Sequence, residues 1–247
     1  MNRRDETEAL ALLGRAPLFE GLTAEALAEV LRRARRRRVA GGHHLFREGE
    51  AASALYLVLT GRVKLTQVAA DGHEVILRFV GPGEAVAALA LFEGATYPLT
   101  ASAVTESLLL AWHQDVLQEL FQHHPPLAVN AMRLLSERLR EVQERFRELA
   151  TERVAQRIAR ALVRLVRQAG RRVEDGVLID LPLSRQDLAE MTGTTLYTVS
   201  RVLSEWEGQG ILESGRAKVV VKHPHALVAI AEDLPPARPE KGVKDKG

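Results

Sequence analysis

Apolar and polar positions change their spacing along the chain, and each change predicts a change of structure. Residues 7–38 carry helical spacing. Leu18 and Phe19 lead into Thr23-Ala24-Glu25, where Thr23 can cap a helix, and Leu27, Val30, Leu31 and Ala34 follow on one face. Arg32, Arg33, Arg35, Arg36, Arg37 and Arg38 close this predicted helix. Such a run suits a helix C-terminus, either as a solvated face or as a surface that touches phosphate. From Val39 to Trp112 the pattern shortens to strands at His44–Phe46, Ala54–Thr60, Arg62–Val68, Glu74–Phe79 and Ser107–Trp112. Glycine turns separate them at Gly41-Gly42, Gly49, Gly61, Asp71-Gly72 and Gly81-Pro82-Gly83. Asp71-Gly72 between two β-rich runs predicts a hairpin, and the spacing as a whole predicts an antiparallel barrel or jelly roll.

Helical spacing returns after Pro125-Pro126. Met132, Leu135, Leu139, Val142, Phe146 and Leu149 alternate steps of three and four residues, with arginines and glutamates between them. This is the seam of a helix that needs a partner, either a second copy of itself or the chain's own barrel. A further helix, Val154–Arg167, puts Val154, Ile158, Leu162 and Leu165 on one face. A polar loop over Arg171–Gly176 and a short strand around Val177–Leu181 follow, so a domain boundary is expected near 149–153. The expected organisation is a β-domain over 1–124, a pairing helix over 125–150, a third region over 151–234, and a disordered tail over 235–247. That tail is charged, rich in proline and glycine, and without apolar anchors.

Within the third region, Ser184-Arg185-Gln186-Asp187 sets a serine cap with an acid three residues later, a variant of the capping box. Leu188, Ala189 and Met191 form the inner face of a short helix, and Thr192-Gly193-Thr194 a tight turn. Thr195 caps a second helix with Val199, Val202, Leu203 and Trp206 inward. Tyr197, Thr198, Ser200, Arg201 and Ser204 lie on its other faces. This is the helix-turn-helix plan. Ile211–Glu213, a turn over Ser214–Ala217 and Lys218–Val221 add a hairpin wing. Arg185, Arg201, Arg216, Lys218 and Lys222 make the region locally positive.

Composition narrows the chemistry. The formal net charge of the 247 residues is only +2, so a basic surface must be local. There are 0 cysteines, which removes disulfides, thiol switches and cysteine-held iron–sulfur clusters. No apolar run nears the roughly 20 residues that cross a bilayer, and no secretion signal opens the chain, so a cytoplasmic protein without membrane contact is expected. No P-loop, HExxH or serine-centred elbow is present, and the reading is of a non-enzyme.

The order of these parts resembles the cyclic-AMP receptor protein/fumarate-nitrate reductase (CRP/FNR) regulators over roughly residues 16–225. The resemblance rests on Leu55–Gly61, Gly81-Pro82-Gly83-Glu84, Leu91-Phe92-Glu93, the long helix, and Arg185–Ala189 with Gly193 and Thr198–Leu203. It implies an α+β protein: an N-terminal β-roll of the cyclic-nucleotide-binding type, a dimerisation helix with Met132, Leu135, Leu139, Val142, Phe146 and Leu149 at the interface, and a C-terminal winged helix-turn-helix. The implied partners are a second copy, double-stranded DNA with a two-fold-symmetric site, and RNA polymerase. The fork of Arg201 suits guanine, with Tyr197, Thr198 and Ser200 beside it on the bases. Arg185, Gln186, Thr195 and Lys218 are expected at phosphates.

One part of the resemblance fails. Nucleotide binders of this family carry Gly-Glu, then Leu-Gly and Arg-Ser, around the ribose and cyclic phosphate. This chain has Ala87-Ala88 and, at or near the later pair, Pro98-Leu99. A buried phosphate without its donors is costly, so cyclic AMP is not the expected effector. Haem remains, with His43, His44, His73, His113, His123 and His124 as candidate ligands, as does control without any ligand. Tyr97-Pro98 resembles the regulators of nitrogen-oxide metabolism.

Overall fold

The computed structural model describes residues 3–70, 72–87, 94–215 and 217–234. Two compact units divide the chain, Met1–Glu148 and Leu149–Gly247. In the first, helix α1 spans Arg3–Leu13, a 3-10 turn follows at Pro17–Phe19, and α2 spans Ala24–Arg33. The helical region expected over 7–38 is thus broken: Gly21 adopts a φ of 79° between the turn and α2. Thr23 does cap α2, its Oγ1 accepting from the Ala26 N–H at 3.3 Å.

Of the arginine run only Arg32 and Arg33 end α2. Ala34 turns extended at ψ 144°, and Arg35–Val39 forms strand β1. Its neighbour is β8 (Ser107–His113), with Arg35 opposite Ala111 and Val39 opposite Ser107. A run of like residues carries no alternation, which is why the strand was invisible in the pattern. It sits at a sheet edge with its charges dispersed. Arg36 faces Asp5 at 3.6 Å, Arg38 faces Glu106 at 3.3 Å, and Arg37 donates to the Tyr56 hydroxyl at 3.0 Å. An edge loaded with guanidinium groups also resists pairing with another chain.

The remaining strands are β2 (His44–Phe46), β3 (Ala54–Thr60), β4 (Val63–Val68), β5 (Glu74–Val80), β6 (Ala85–Val86) and β7 (Thr100–Ala103). They form two antiparallel four-stranded sheets, ordered β1-β8-β3-β6 and β2-β7-β4-β5. Val68 pairs with Glu74 at the expected hairpin, where Gly72 has a φ of 86°; Asp71 itself lies outside the described residues. Strand β3 reads ALYLVLT because both of its faces are covered. Tyr56 and Val58 join Phe46, Val86 and Tyr97 in the core between the sheets. Leu55 and Leu57 join Trp112 and Leu110 in a second core with Leu13, Val30, Leu120 and Leu127. The fully buried Trp112 donates its indole N–H to the Val30 carbonyl at 2.8 Å. That second core is closed by α3 (Gln114–His123), which the pattern did not announce, and by α4 (Pro125–Thr151).

In the second unit, α5 (Val154–Ala169) buries Ile158, Leu162 and Leu165. The expected polar loop over Arg171–Gly176 instead holds strand β9 (Gly170–Val173), paired with β10 (Gly176–Ile179). Gly176 is required there: a Cβ would lie 2.3 Å from the Val221 carbonyl oxygen. Next come α6 (Arg185–Thr192), α7 (Leu196–Gly208), β11 (Leu212–Gly215), β12 (Lys218–Val221) and a final α8 (Pro224–Ala231), which was not anticipated. The sheet order is β11-β12-β10-β9, so the wing hairpin extends the β9–β10 ribbon. Among the described residues no helix is long and apolar enough to cross a membrane.

Candidate functional sites

The second unit builds an outward face from locally specified parts. Ser184 caps α6 reciprocally: its Oγ accepts from the Asp187 N–H at 3.0 Å, and Asp187 Oδ2 accepts from the Ser184 N–H at 2.7 Å. Leu188 and Ala189 are buried as expected. Met191 is only half-buried, and Thr192 takes the inner position, donating its hydroxyl to the Leu188 carbonyl at 2.6 Å. Gly193 then adopts φ 60° and ψ 48°, a left-handed conformation that costs an L-residue about 1–2 kcal/mol. Arg157 on α5 donates to the Thr192 carbonyl at 3.0 Å and so braces the turn.

Thr195 caps α7 by accepting from the Thr198 N–H at 3.2 Å. Val199, Val202, Leu203 and Trp206 are buried beneath the helix, which fixes its opposite side toward solvent. There Tyr197 is 78% exposed, Arg201 is exposed, and Ser200 is half-buried. Thr198 is not a free hydroxyl, because it lies 3.0 Å from that of Thr195.

The positive cluster is thinner than the sequence suggests. Lys222 pairs with Glu213 at 3.0 Å, an exposed contact that raises the amine's pKa and lowers the acid's. Arg216 lies outside the described residues. Lys218 is exposed at the hairpin end, opposite Gly215. Gln186, also exposed, donates to Glu190 at 2.9 Å. Arg185 donates to the Ser214 Oγ at 3.1 Å, and Ser214 donates from its N and Oγ to Glu207 Oε1 at 2.8 and 2.5 Å. This chain of contacts ties the start of α6 to the wing and to the end of α7. Sequence reasoning had no means of finding it, since Ser214 appeared only as a turn residue.

In the first unit, the predicted seam of α4 is left open. Met132, Leu139, Val142 and Phe146 are 69, 60, 61 and 73% exposed, and Leu135 is partly covered. At the start of the second unit Leu149 is exposed as well.

Beside the seam lies a cavity of about 260 Å³ between the sheets and α4. Phe46, Leu65, Val86, Tyr97, Leu99 and Val142 contribute an apolar lining; Arg78, Arg138, Glu141 and Arg145 are its charged groups. Tyr97 stacks on Phe46 with ring centroids 3.8 Å apart. Its hydroxyl is turned away into the core, accepting from the Ser53 and Ala54 N–H groups at 3.2 and 3.1 Å and donating to the Ala54 carbonyl at 3.0 Å. Burial, with Tyr97 as neighbour, pushes the Tyr56 phenol up to about 12. Ala87, at the cavity edge, holds a φ of 68° that suits glycine. Ala88 and Leu91-Phe92-Glu93 fall outside the described residues.

Arg78 is an enclosed charge at the cavity, its side chain 11% exposed. It bonds Glu84 through Nη2 and lies 3.7 Å from Glu141 through Nη1, while Arg138 bonds Glu141 at 2.6 Å. Burial lowers the guanidinium's pKa from its ordinary value, and Glu84 opposes that effect. The six histidines considered as haem ligands are dispersed. His44 bonds Ser102 at 2.8 Å, His124 faces Glu29 at 3.1 Å, and His123 bonds the Glu119 carbonyl at 2.8 Å. His43 lies near the Gly41 carbonyl, His73 in the β4–β5 turn, and His113 ends β8. None of them lines the cavity as described.

A β-roll followed by a winged helix-turn-helix defines a class of transcriptional regulators. A family model described as "Cyclic nucleotide-binding domain" matches residues 36–124, and one described as "Crp-like helix-turn-helix domain" matches residues 156–230. The chain is 33% identical over 219 residues to the "Cyclic AMP receptor protein" of Thermus thermophilus, covering 89% of this chain and 98% of that protein. It is 25% identical over 216 residues to the "CRP-like cAMP-activated global transcriptional regulator" of Mycobacterium tuberculosis, covering 87% and 96%. The solved structure of FixK2 from Bradyrhizobium japonicum superposes with a TM-score of 0.70 at 26% identity, over 80% of this chain and 96% of that one. The chain belongs to the CRP/FNR family of transcriptional regulators.

Proposed function

We propose that the chain works as a homodimer that reads a two-fold-symmetric DNA site, with α7 of each protomer in the major groove. Residues 1–124 serve as the sensor, 125–150 as the pairing helix and 151–234 as the reader. Its site of action is the cytoplasm, and RNA polymerase is the further partner the family implies. The observation that carries the reading is the outer side of α7, where Tyr197 and Arg201 stand exposed on a helix pinned by Trp206, Leu203 and the Gly193 turn. Arg201 reads guanine through its fork, with Tyr197, Thr198 and Ser200 on neighbouring bases. Arg185, Gln186, Thr195 and Lys218 take phosphates. Tyr197 replaces the acidic residue common in the family, so the preferred sequence differs from the family consensus. The open seam on α4 is the surface for the second copy, since mixed exposure of this kind is buried in paired helices.

The effector is not cyclic AMP in this proposal. Tyr97 directs its hydroxyl into the core, Pro98 has no N–H to offer, and the described wall beside them is apolar, the charged groups lying together at Arg78, Arg138, Glu141 and Arg145. Haem is not favoured either, because it would need an axial ligand where the described lining has no histidine. The test is selection of a preferred site from random DNA by the purified full chain, followed by Arg201→Ala. The variant is expected to lose about 1–3 kcal/mol on that site and to become indifferent at one base pair per half-site. Unchanged sequence preference in Arg201→Ala removes the assignment.

A further inference from the structure

We propose that the cavity of the first unit binds a compact apolar monocarboxylic acid, whose carboxylate takes Arg78 and Arg138 away from Glu141. The size of the cavity sets the size of the guest. At about 260 Å³ it exceeds the roughly 150 Å³ hole that takes benzene in an engineered protein, so one ring or a branched chain with a short acidic arm fills it. Its wall decides the body of the guest. Phe46, Leu65, Val86 and Leu99 offer no hydrogen bond from their side chains, and Tyr97 spends its hydroxyl on the backbone of Ser53 and Ala54. A sugar or a base would leave its polar edges unmatched there.

The charged side decides the head. Among the described residues arginines outnumber acids in the lining, and one nitrogen of Arg78 has no carboxylate at bonding distance. Its Nη2 is bonded to Glu84, and its Nε reaches the Phe79 carbonyl at 3.4 Å. Its Nη1 lies 3.7 Å from Glu141, too far for a good hydrogen bond. A guanidinium this enclosed gains from a second carboxylate at bonding distance. A guest acid can supply one, and Glu141 is the group it displaces.

Displacement reaches the pairing surface directly. Glu141 belongs to α4, and its neighbour Val142 both lines the cavity and lies on the open seam. Releasing Glu141 while filling the space against Val142 therefore alters the seam that the proposed dimer uses. This regulatory consequence rests on the dimeric DNA-reading proposal, whereas the binding step does not.

The test is isothermal titration of the full chain, without DNA, with phenylacetate, 4-methylpentanoate, phenylacetamide and cyclic AMP. Either acid is expected to bind, and phenylacetamide at least about tenfold more weakly than phenylacetate, since it lacks a charge-assisted bond. Glu141→Gln is expected to tighten acid binding about tenfold by removing the competing charge, and Arg138→Gln to weaken it. Leu99→Trp, which fills the cavity, should abolish it, with unchanged thermal unfolding showing that the roll is intact. No heat from either acid, equal binding of acid and amide, tighter binding of cyclic AMP, or indifference to Glu141→Gln would each overturn the proposal. None of these outcomes touches DNA reading, which is measured separately on the selected site.

Discussion

The winged helix-turn-helix and the roll use charge in opposite ways. In the winged helix-turn-helix, ion pairs such as Lys222–Glu213 lie on the rim, and the apolar residues under α7 do the holding. Exposed pairs of that kind contribute little to stability, because solvent screens them. In the roll, Arg78 is drawn inward between Glu84 and Glu141 beside an apolar space. An enclosed guanidinium that loses its bonded carboxylate is destabilised more than an exposed one, because water replaces the lost partner less well. The second unit can therefore lose a rim charge at little cost to the fold, while loss of Glu84 would leave the enclosed Arg78 without its bonded carboxylate. That contrast fits a family that keeps its reading scaffold and varies its effector.

The sharpest way to break the comparison is to unfold one side alone. Leu162→Ala, at a fully buried position of α5, is expected to cost about 2–5 kcal/mol in the second unit. Thermal unfolding should show its transition falling while that of the roll, and any acid binding, stay in place. Phe146→Glu attacks the seam. Sedimentation should show a monomer, and operator affinity should fall by about 10²–10⁴-fold, the gain that linking two half-site contacts provides. Arg185→Ala should weaken cognate and random DNA alike and lower the salt slope by about one per protomer. Ser214→Ala, which leaves that guanidinium without its hydroxyl partner, should produce a smaller loss of the same kind, and Ser214→Thr should restore it. The smallest effect belongs to Ala87→Gly. Relief of the positive φ is expected to raise the roll's stability by no more than about 1 kcal/mol, read from its denaturant midpoint.

How much of this could be read from the chain depended on how local the physics is. Ser184, Asp187, Gly193 and Thr195 act within a few residues of themselves, and each does in the structure what its residue type announces. The roll's longer strands were legible for the same reason, through turn glycines and apolar runs. Strand β1 was not, because Arg35–Arg38 present no alternation and their partners, Asp5, Tyr56 and Glu106, are remote in sequence. Short β6, β7 and β9 lack the length for a period to show, and α3 and α8 follow strands without a clear break in pattern. The cavity was illegible altogether. Its walls run from Phe46 to Arg145, and only tertiary packing brings them together. Of the expected DNA-contacting residues and the positive cluster around them, the chain could suggest types and spacing, but not that Arg185 leans on Ser214 or that Lys222, a member of the cluster, is already paired.

The chain contains 2 tryptophans, and the fold has placed one in each unit: Trp112 deep in the roll and Trp206 beneath α7. Each therefore emits from the interior of a different machine. Replacing Trp112 by Phe leaves a fluorophore that watches only the winged helix-turn-helix, and replacing Trp206 leaves one that watches only the roll. The protein carries its own two-channel optical record, so a change in either unit can be timed without attaching a dye.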